Sequence, residues 1–230
     1  MNCPNCQTPY LFSSRVNAEI PTCPCLQDRA AEEAAQARVL AHEESAMERV
    51  MALRLGVMSD HDKKAPTVQG WEAPHIPILA SRNLVVTGSP GTRKTTLLKQ
   101  IAYHAALQGL KVRGGYVIEM LSTLKDMDRV KDYSAWLEHG HVLILDDLDK
   151  LLGTQYEIER LMLLIDRYWA FKRSIVVSLN MSPDELQQKM GSARGDHKRE
   201  AEAIFSRLMG AAKVVVLEGN DFRLHSMGKA

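Results

Sequence analysis

Apolar runs alternate with helical repeats along most of the chain after residue 83. The runs are short and rich in Val, Ile and Leu, which is typical of buried strands, and the segments between them repeat apolar residues at helical spacing. This alternation predicts an α/β fold, in which helices cover both faces of a parallel five-stranded sheet. Strands are predicted at 84–87, 111–118, 142–145, 174–178 and 213–217, and helices at 95–108, 120–125, 156–170 and 183–190.

The first 77 residues follow a different pattern. Residues 28–55 contain neither Gly nor Pro and are rich in Ala, Glu, Arg and Met, which predicts a long helix. Residues 56–77 carry Gly, Pro, Ser and charged residues, which predicts a linker. We therefore expect a small region over 1–27, the helix, the linker, and a globular domain over 78–230.

Composition narrows the class of protein. The chain has 230 residues and a formal net charge of +1, so it can bury one core and leave a small appendage. No apolar stretch approaches the roughly 20 residues that cross a bilayer, so the sequence predicts a cytoplasmic protein with no membrane partner. The near-zero net charge neither indicates nor excludes nucleic acid, because basic patches are local.

All four cysteines lie within the first 25 residues: Cys3, Cys6, Cys23 and Cys25. Two close pairs separated by a polar loop suit a tetrahedral Zn²⁺ site built from thiolates, and a cytosolic setting disfavours disulfides. The alternative is four reduced surface thiols. A zinc site is the preferred prediction, because so short and polar a segment has little else to fold around.

A Gly-rich loop joins the first predicted strand to the helix that follows. This order is that of a phosphate-binding loop, in which main-chain N–H groups at the helix start face the phosphates of a nucleotide such as ATP. Lys94 is predicted to reach the β- and γ-phosphates, and the Thr95 hydroxyl to bind Mg²⁺. The candidate nucleotide-binding residues are Gly88, Ser89, Pro90, Gly91, Thr92, Arg93, Lys94, Thr95 and Thr96.

Arg93 occupies the position before the lysine, where the usual pattern has Gly. A side chain there crowds a backbone that must approach the phosphates closely, which bears on both nucleotide affinity and hydrolysis. Two other arrangements stay open: the guanidinium points outward, or it donates hydrogen bonds to a phosphate.

Two further strands end in polar residues. The strand 142–145 leads into Asp146 and Asp147, for which we predict Mg²⁺ binding and orientation of the attacking water, respectively. Asn180 follows the strand 174–178 and is predicted to hydrogen-bond the water or the γ-phosphate; the alternative is an Asx turn. Arg207 lies in a charged segment, and its composition favours a surface residue. By analogy with GTPases and other P-loop enzymes, the alternative is a trans-acting finger that stabilises transition-state charge.

These motifs, taken in order, resemble those of the DnaC/DnaI-type replicative helicase loaders and their IstB-type relatives, a clade of AAA+ ATPases. The resemblance rests on the cysteine head and on GSPGTRKTTLLKQIA, LILDDLD, VVSLNMSPDEL and IFSRLMGAAKVVVLEG. It implies an αβα AAA+ core without a helical lid, Asn180 as the sensor 1 residue and Arg207 as the arginine finger of a neighbouring subunit. It also implies self-association into a ring or spiral.

The resemblance further implies a function. The N-terminal region would bind a DnaB-type hexameric helicase, and the AAA+ domain would bind ATP and single-stranded DNA. One alternative is an IstB-like transposition helper that binds duplex DNA and a transposase. Another is a hydrolysis-deficient adaptor of a phage or mobile element that binds the helicase without turning over ATP. Charges at Lys125, Arg129 and Lys131 lie where AAA+ initiators touch DNA, although a solvated helix is the preferred interpretation there.

Overall fold

The computed structural model describes residues 24–63, 83–126, 130–151, 153–191, 198–210, 212–219 and 221. The chain divides into two compact units, Met1–Ser45 and Ala46–Ala230. The described part of the first unit, residues 24–45, is helical and belongs to α1, which spans Pro24–Met51.

The second unit is built around five parallel strands. Their order across the sheet is β2-β3-β4-β1-β5. Strands β2, β3 and β4 are neighbours both in the chain and in the sheet, whereas β1 lies between β4 and β5. The strands are β1 Asn83–Thr87, β2 Val112–Tyr116, β3 Val142–Asp146, β4 Ser174–Leu179 and β5 Ala212–Val216. The predicted α/β class and parallel five-stranded sheet are confirmed.

Helices cover both faces of this sheet. One face packs against α2 (Lys94–Leu107), with buried side chains that include Leu98 and Ile101. The other face packs against α3, α4, α5, α6 and α7. Their bounds are α3 Val117–Lys125, α4 Val130–Glu138, α5 Gln155–Ala170, α6 Pro183–Gly191 and α7 Lys198–Met209.

Local chemistry explains several of these bounds. Thr154 caps α5 because its hydroxyl accepts a hydrogen bond from the Glu157 N–H while the Glu157 carboxylate accepts one from the Thr154 N–H. The predicted second strand, 111–118, is three residues longer than β2: it starts one residue too early and ends two residues too late. Val117 and Ile118 belong to α3, because Val117 shares a buried helical face with Met120 and Leu121.

The segment that follows α1 differs from the linker predicted over 56–77. Leu53, Leu55 and Met58 are buried in the core on the α2 side of the sheet. Asp62 is also buried, and its carboxylate accepts hydrogen bonds from the Ser59 N–H and hydroxyl, each 2.8 Å long. The first part of the predicted linker, residues 56–63, is therefore packed structure, while residues 64–82 lie outside the described ranges.

Candidate functional site

The carboxyl ends of β1, β3 and β4 meet at one edge of the sheet. The loop after β1, the acids after β3 and Asn180 after β4 all lie there, because parallel strands deliver their ends to a common edge. A polar cavity of about 630 Å³ opens at this edge. The described residues that line it are Pro90, Gly91, Arg93, Lys94, Thr95, Thr96, Lys99, Asp147, Lys150 and Asn180.

The Gly-rich loop folds around the lysine side chain. The Lys94 ammonium donates hydrogen bonds of 2.7 Å to the main-chain carbonyls of Gly88 and Ser89, and the side chain is largely buried. The Thr92 hydroxyl closes the loop further by donating to the Ser89 carbonyl at 2.8 Å. Gly91 has φ 80°, a backbone conformation that favours glycine, and the carboxylate of Asp221 lies where a Cβ would be.

Arg93 directly precedes α2 in a left-handed backbone conformation, with φ 66° and ψ 28°. Glycine adopts this conformation readily, whereas for a residue with a Cβ the conformation raises the free energy of the folded state by about 1 kcal/mol. The Arg93 side chain is exposed and lines the cavity. The backbone therefore takes the shape that the usual glycine permits, and the guanidinium adds a cation to the cavity wall.

Hydrogen bonds from two hydroxyl groups hold the Asp146 side chain in place. Its carboxylate accepts hydrogen bonds from the Thr95 hydroxyl at 2.9 Å and from the Ser178 hydroxyl at 2.5 Å. Burial raises the pKa of the Asp146 carboxyl, and the charge of Asp147 acts in the same direction, while the two hydroxyl hydrogen bonds act against it.

Thr95 and Asp146 fit a Mg²⁺ ion. A hydroxyl oxygen and a carboxylate oxygen lie side by side next to the cavity, and oxygen ligands of this kind suit magnesium. No group of three or more His, Cys, Asp or Glu side chains in the described ranges forms a metal site by itself. Mg²⁺ at a nucleotide does not need such a group, because phosphates and water complete its shell and the ion neutralises phosphate charge.

Asp147 has a left-handed backbone conformation, with φ 55°. Its carboxylate accepts a hydrogen bond of 3.0 Å from the Asn180 side-chain amide and forms an ion pair of 2.5 Å with Lys150. The Asp149 carboxylate accepts hydrogen bonds from the Asn180 main-chain N–H at 2.9 Å and from the Asn180 side-chain amide at 3.2 and 3.3 Å. Asp147 and Asn180, which were each predicted to act near the γ-phosphate, thus lie in direct contact.

Arg207 lies elsewhere. The Asn83 side-chain amide, at the amino end of β1, donates to the Arg207 carbonyl at 2.8 Å, whereas the Gly-rich loop starts at the other end of that strand, about 13 Å away. The Arg207 side chain forms an ion pair of 2.6 Å with Asp166. Within one chain, the structure does not bring Arg207 together with Lys94 and Asp146.

The side chains of the predicted cysteine cluster lie outside the described part of the chain. Cys3, Cys6 and Cys23 lie outside the described residues, and only the backbone of Cys25, in the first turn of α1, is described. Among the helices described, none has the length and apolar character to cross a membrane.

Four residues of the site were missed by the sequence analysis: Lys99, Asp149, Lys150 and Ser178. Lys99 lies four residues after Thr95 on α2, so helical spacing places both on one face. Lys150 follows Asp147 by three residues in the short 3₁₀ turn Leu148–Lys150. Ser178 is a buried hydroxyl in an otherwise apolar strand end, which is a weak signal of a polar contact.

A parallel sheet with helices on both faces, a Gly-rich loop before α2 and acids after β3 define a P-loop nucleotide-binding fold of the AAA+ type. Residues 77–230 match the family described as IstB-like ATP binding protein. This match covers well over half of the chain, and the protein belongs to that family.

Solved structures share the fold. A DnaC helicase loader has a TM-score of 0.51 and 19% identity, covering 64% of this chain and 88% of that one. A DnaI structure has a TM-score of 0.54 and 21% identity, covering 64% and 78%. A replication initiator DnaA bound to AMPPCP and single-stranded DNA has a TM-score of 0.53 and 18% identity, covering 64% and 44%. The matched region is thus less than half of that DnaA chain. No curated protein sequence matches this chain significantly.

Proposed function

We propose that this protein is an ATP-dependent loader of a DnaB-type replicative helicase onto single-stranded DNA. The observation that carries the proposal is the cavity in which Lys94, Thr95, Asp147 and Asn180 converge within an IstB-like ATP binding domain. Of the described residues that line it, four are cations and one is an acid, which suits a polyanion such as ATP. DnaC, a structural neighbour, is a helicase loader.

In this proposal each residue has a defined task. Main-chain N–H groups at the start of α2 and the Lys94 ammonium bind the phosphates, and Thr95 and Asp146 would hold Mg²⁺. Asp147 and Asn180 orient the attacking water, and Arg207 acts on the site of a neighbouring subunit in a ring or spiral. The four cysteines hold one Zn²⁺ in the region that contacts the helicase.

The DNA-binding part of the proposal is supported by aromatic side chains on α4. Tyr133 and Trp136 stack with their centroids 5.5 Å apart, and both line a cavity of about 460 Å³ beside α3. The Arg113 guanidinium also lies 4.7 Å from the centre of the Trp136 ring, so Tyr133 is the ring proposed to stack on a base of single-stranded DNA. Three cations were considered from the sequence. Lys125 contacts the Tyr156 ring, Lys131 is exposed on α4, and Arg129 lies outside the described residues.

The test of nucleotide binding compares the full chain with Lys94→Ala by calorimetric titration of ATP in the presence of Mg²⁺. We expect a loss of affinity of about 10-fold or more in the variant, because the ammonium is a direct phosphate ligand. The control is Lys111→Met. Lys111 is exposed and directly precedes β2, so it lies at the amino ends of the strands, whereas the cavity lies at their carboxyl ends. An unchanged affinity in Lys94→Ala would remove the nucleotide site from the proposal.

Partner identity is tested by mixing the purified chain with a DnaB-type helicase or with an IstB-associated transposase and measuring complex formation. The loader proposal expects the helicase complex and its loss on deleting residues 1–70. A transposase complex on duplex DNA would instead support the transposition helper, to which the family description also points. A helicase complex without ATP turnover would support the adaptor.

A further inference from the structure

Both carboxylate oxygens of Asp147 are engaged. One accepts a hydrogen bond from the Asn180 amide at 3.0 Å, and the other lies 2.5 Å from the Lys150 ammonium. The Asp147 N–H donates to the Ser178 hydroxyl at 2.8 Å, which fixes the backbone. The Lys150 ammonium therefore occupies the Asp147 oxygen that would otherwise be free to accept a proton.

Lys150 lies at a point where it can exchange partners. It lines the same cavity as Lys94, and its side chain is 48% exposed, so the ammonium is not locked in the core. The ammonium also lies 5.2 Å from the centre of the Tyr116 ring, at the end of β2. The hydrogen bond to Asp147 is the main cause that raises the pKa of Lys150, so the side chain is a cation at neutral pH.

We propose that Lys150 distinguishes a triphosphate from a diphosphate: its ammonium exchanges Asp147 for the terminal phosphate of ATP, and the exchange releases the Asp147 carboxylate. The inference rests on the proposed nucleotide site. A terminal phosphate carries more negative charge than one carboxylate and offers more acceptor oxygens, so it competes effectively for a shared lysine. Sequence motifs did not assign any role to Lys150.

The released carboxylate then has a chemical task. The water oxygen forms a bond to the γ-phosphorus while the bond from that phosphorus to the β–γ bridging oxygen breaks, and ADP leaves with the electron pair. The water proton passes to the free Asp147 oxygen and from there to solvent. Lys150 remains on the phosphate that is transferred, where it balances charge.

The test compares affinities for a non-hydrolysable ATP analogue and for ADP by calorimetry. In Lys150→Met we expect affinity for the ATP analogue to fall about 3- to 10-fold and affinity for ADP to stay within about twofold. Lys150→Arg keeps the charge and should restore most of the ATP preference. Lys111→Met, at the amino ends of the strands, should retain the wild-type ratio. Turnover by Lys150→Met should fall while turnover by the arginine variant is partly retained.

The results separate this inference from the proposed function. Equal losses for both nucleotides in Lys150→Met, or an unchanged ratio, would overturn the role of Lys150 and leave the nucleotide site standing. Failure of the wild-type chain to bind either nucleotide would overturn both. Lys150→Gln, a second neutral variant that keeps a polar tip, must show the same loss of ATP preference as the methionine variant.

Discussion

The Thr95 hydroxyl donates a hydrogen bond of 2.9 Å to the Asp146 carboxylate across 51 residues of chain. This contact joins the first residues of α2 to the end of β3, although β1 and β3 are separated in the sheet by β4. Ser178 on the intervening strand completes the link, since its hydroxyl donates to the other oxygen of Asp146. The residues that would hold Mg²⁺ are therefore positioned by three strands together.

Replacing Arg93 by Gly is expected to raise ATP turnover. The glycine relieves the left-handed backbone and removes a side chain from the cavity wall. Arg93→Ala is the matched control, because it removes the guanidinium but keeps the Cβ. We expect the glycine variant to be about 1 kcal/mol more stable than the alanine variant in urea unfolding.

Turnover measured at saturating ATP separates the two effects of Arg93. A gain in both variants assigns the effect to the guanidinium, and a gain in the glycine variant alone assigns it to the backbone. Wild-type turnover as fast as that of Arg93→Gly would contradict an inhibitory role for this residue.

Arg207→Ala is expected to reduce ATP turnover with little change in ATP affinity. The Arg207 side chain pairs with Asp166 and does not line the cavity of its own chain, so the proposed effect on turnover would be exerted on the site of a neighbouring subunit. The decisive measurement mixes Arg207→Ala with Asp147→Asn, two variants that are each expected to have reduced turnover alone. Where the Asp147 of an Arg207→Ala subunit faces the Arg207 of an Asp147→Asn subunit, the site is intact, so part of the turnover should return on mixing; failure to recover turnover counts against action between subunits.

Asn83→Ala is expected to destabilise the domain by about 2 to 4 kcal/mol. The buried Asn83 amide donates to the carbonyls of Arg207 and Leu208, and its oxygen accepts from the Ile175 N–H. Removing it leaves three main-chain groups without that partner. Urea unfolding measures the loss, and the exposed Gln155→Ala should change stability by no more than about 0.5 kcal/mol. Equal stability of the two variants would show that this network contributes little.

Acidic pH is expected to destabilise the domain through His141. Partial burial, followed by the charges of Lys111, Arg173 and Arg113, lowers the pKa of His141 below 6.5. Its ring nitrogen accepts a hydrogen bond of 2.9 Å from the Lys111 N–H, which requires the neutral imidazole.

The sign follows from linkage. Because the folded state disfavours the protonated ring, the contribution of His141 is present above its ordinary pKa of 6.5 and is lost as the pH falls below it. Urea unfolding of wild type and His141→Asn across this range measures the effect. The stability difference between them should shrink toward acidic pH, and a difference that is independent of pH would contradict the assignment.

Short-range patterns were sufficient for the strands and for the Gly-rich loop. The burial of β1, β3 and β4 on both faces makes them continuous apolar runs, which are visible without knowledge of their neighbours. Helix α4 was anticipated only as a solvated helix near Lys131, without bounds, because only a few of its residues, such as Leu137, reach the core. Val117 was assigned to a strand, since one apolar residue beside a strand carries no helical period by itself.

The sequence by itself determined the α/β class and the family, and it predicted that Lys94, Thr95, Asp146, Asp147 and Asn180 lie together at one edge of the sheet. These features depend on local spacing and on motif order, which a single chain displays directly. Only the tertiary structure decided that Arg93 adopts a left-handed conformation, that Ser178 supports Asp146, and that Lys150 pairs with Asp147. The physical reason is that strand order and side-chain pairing depend on contacts between segments far apart in sequence, and no local pattern encodes them.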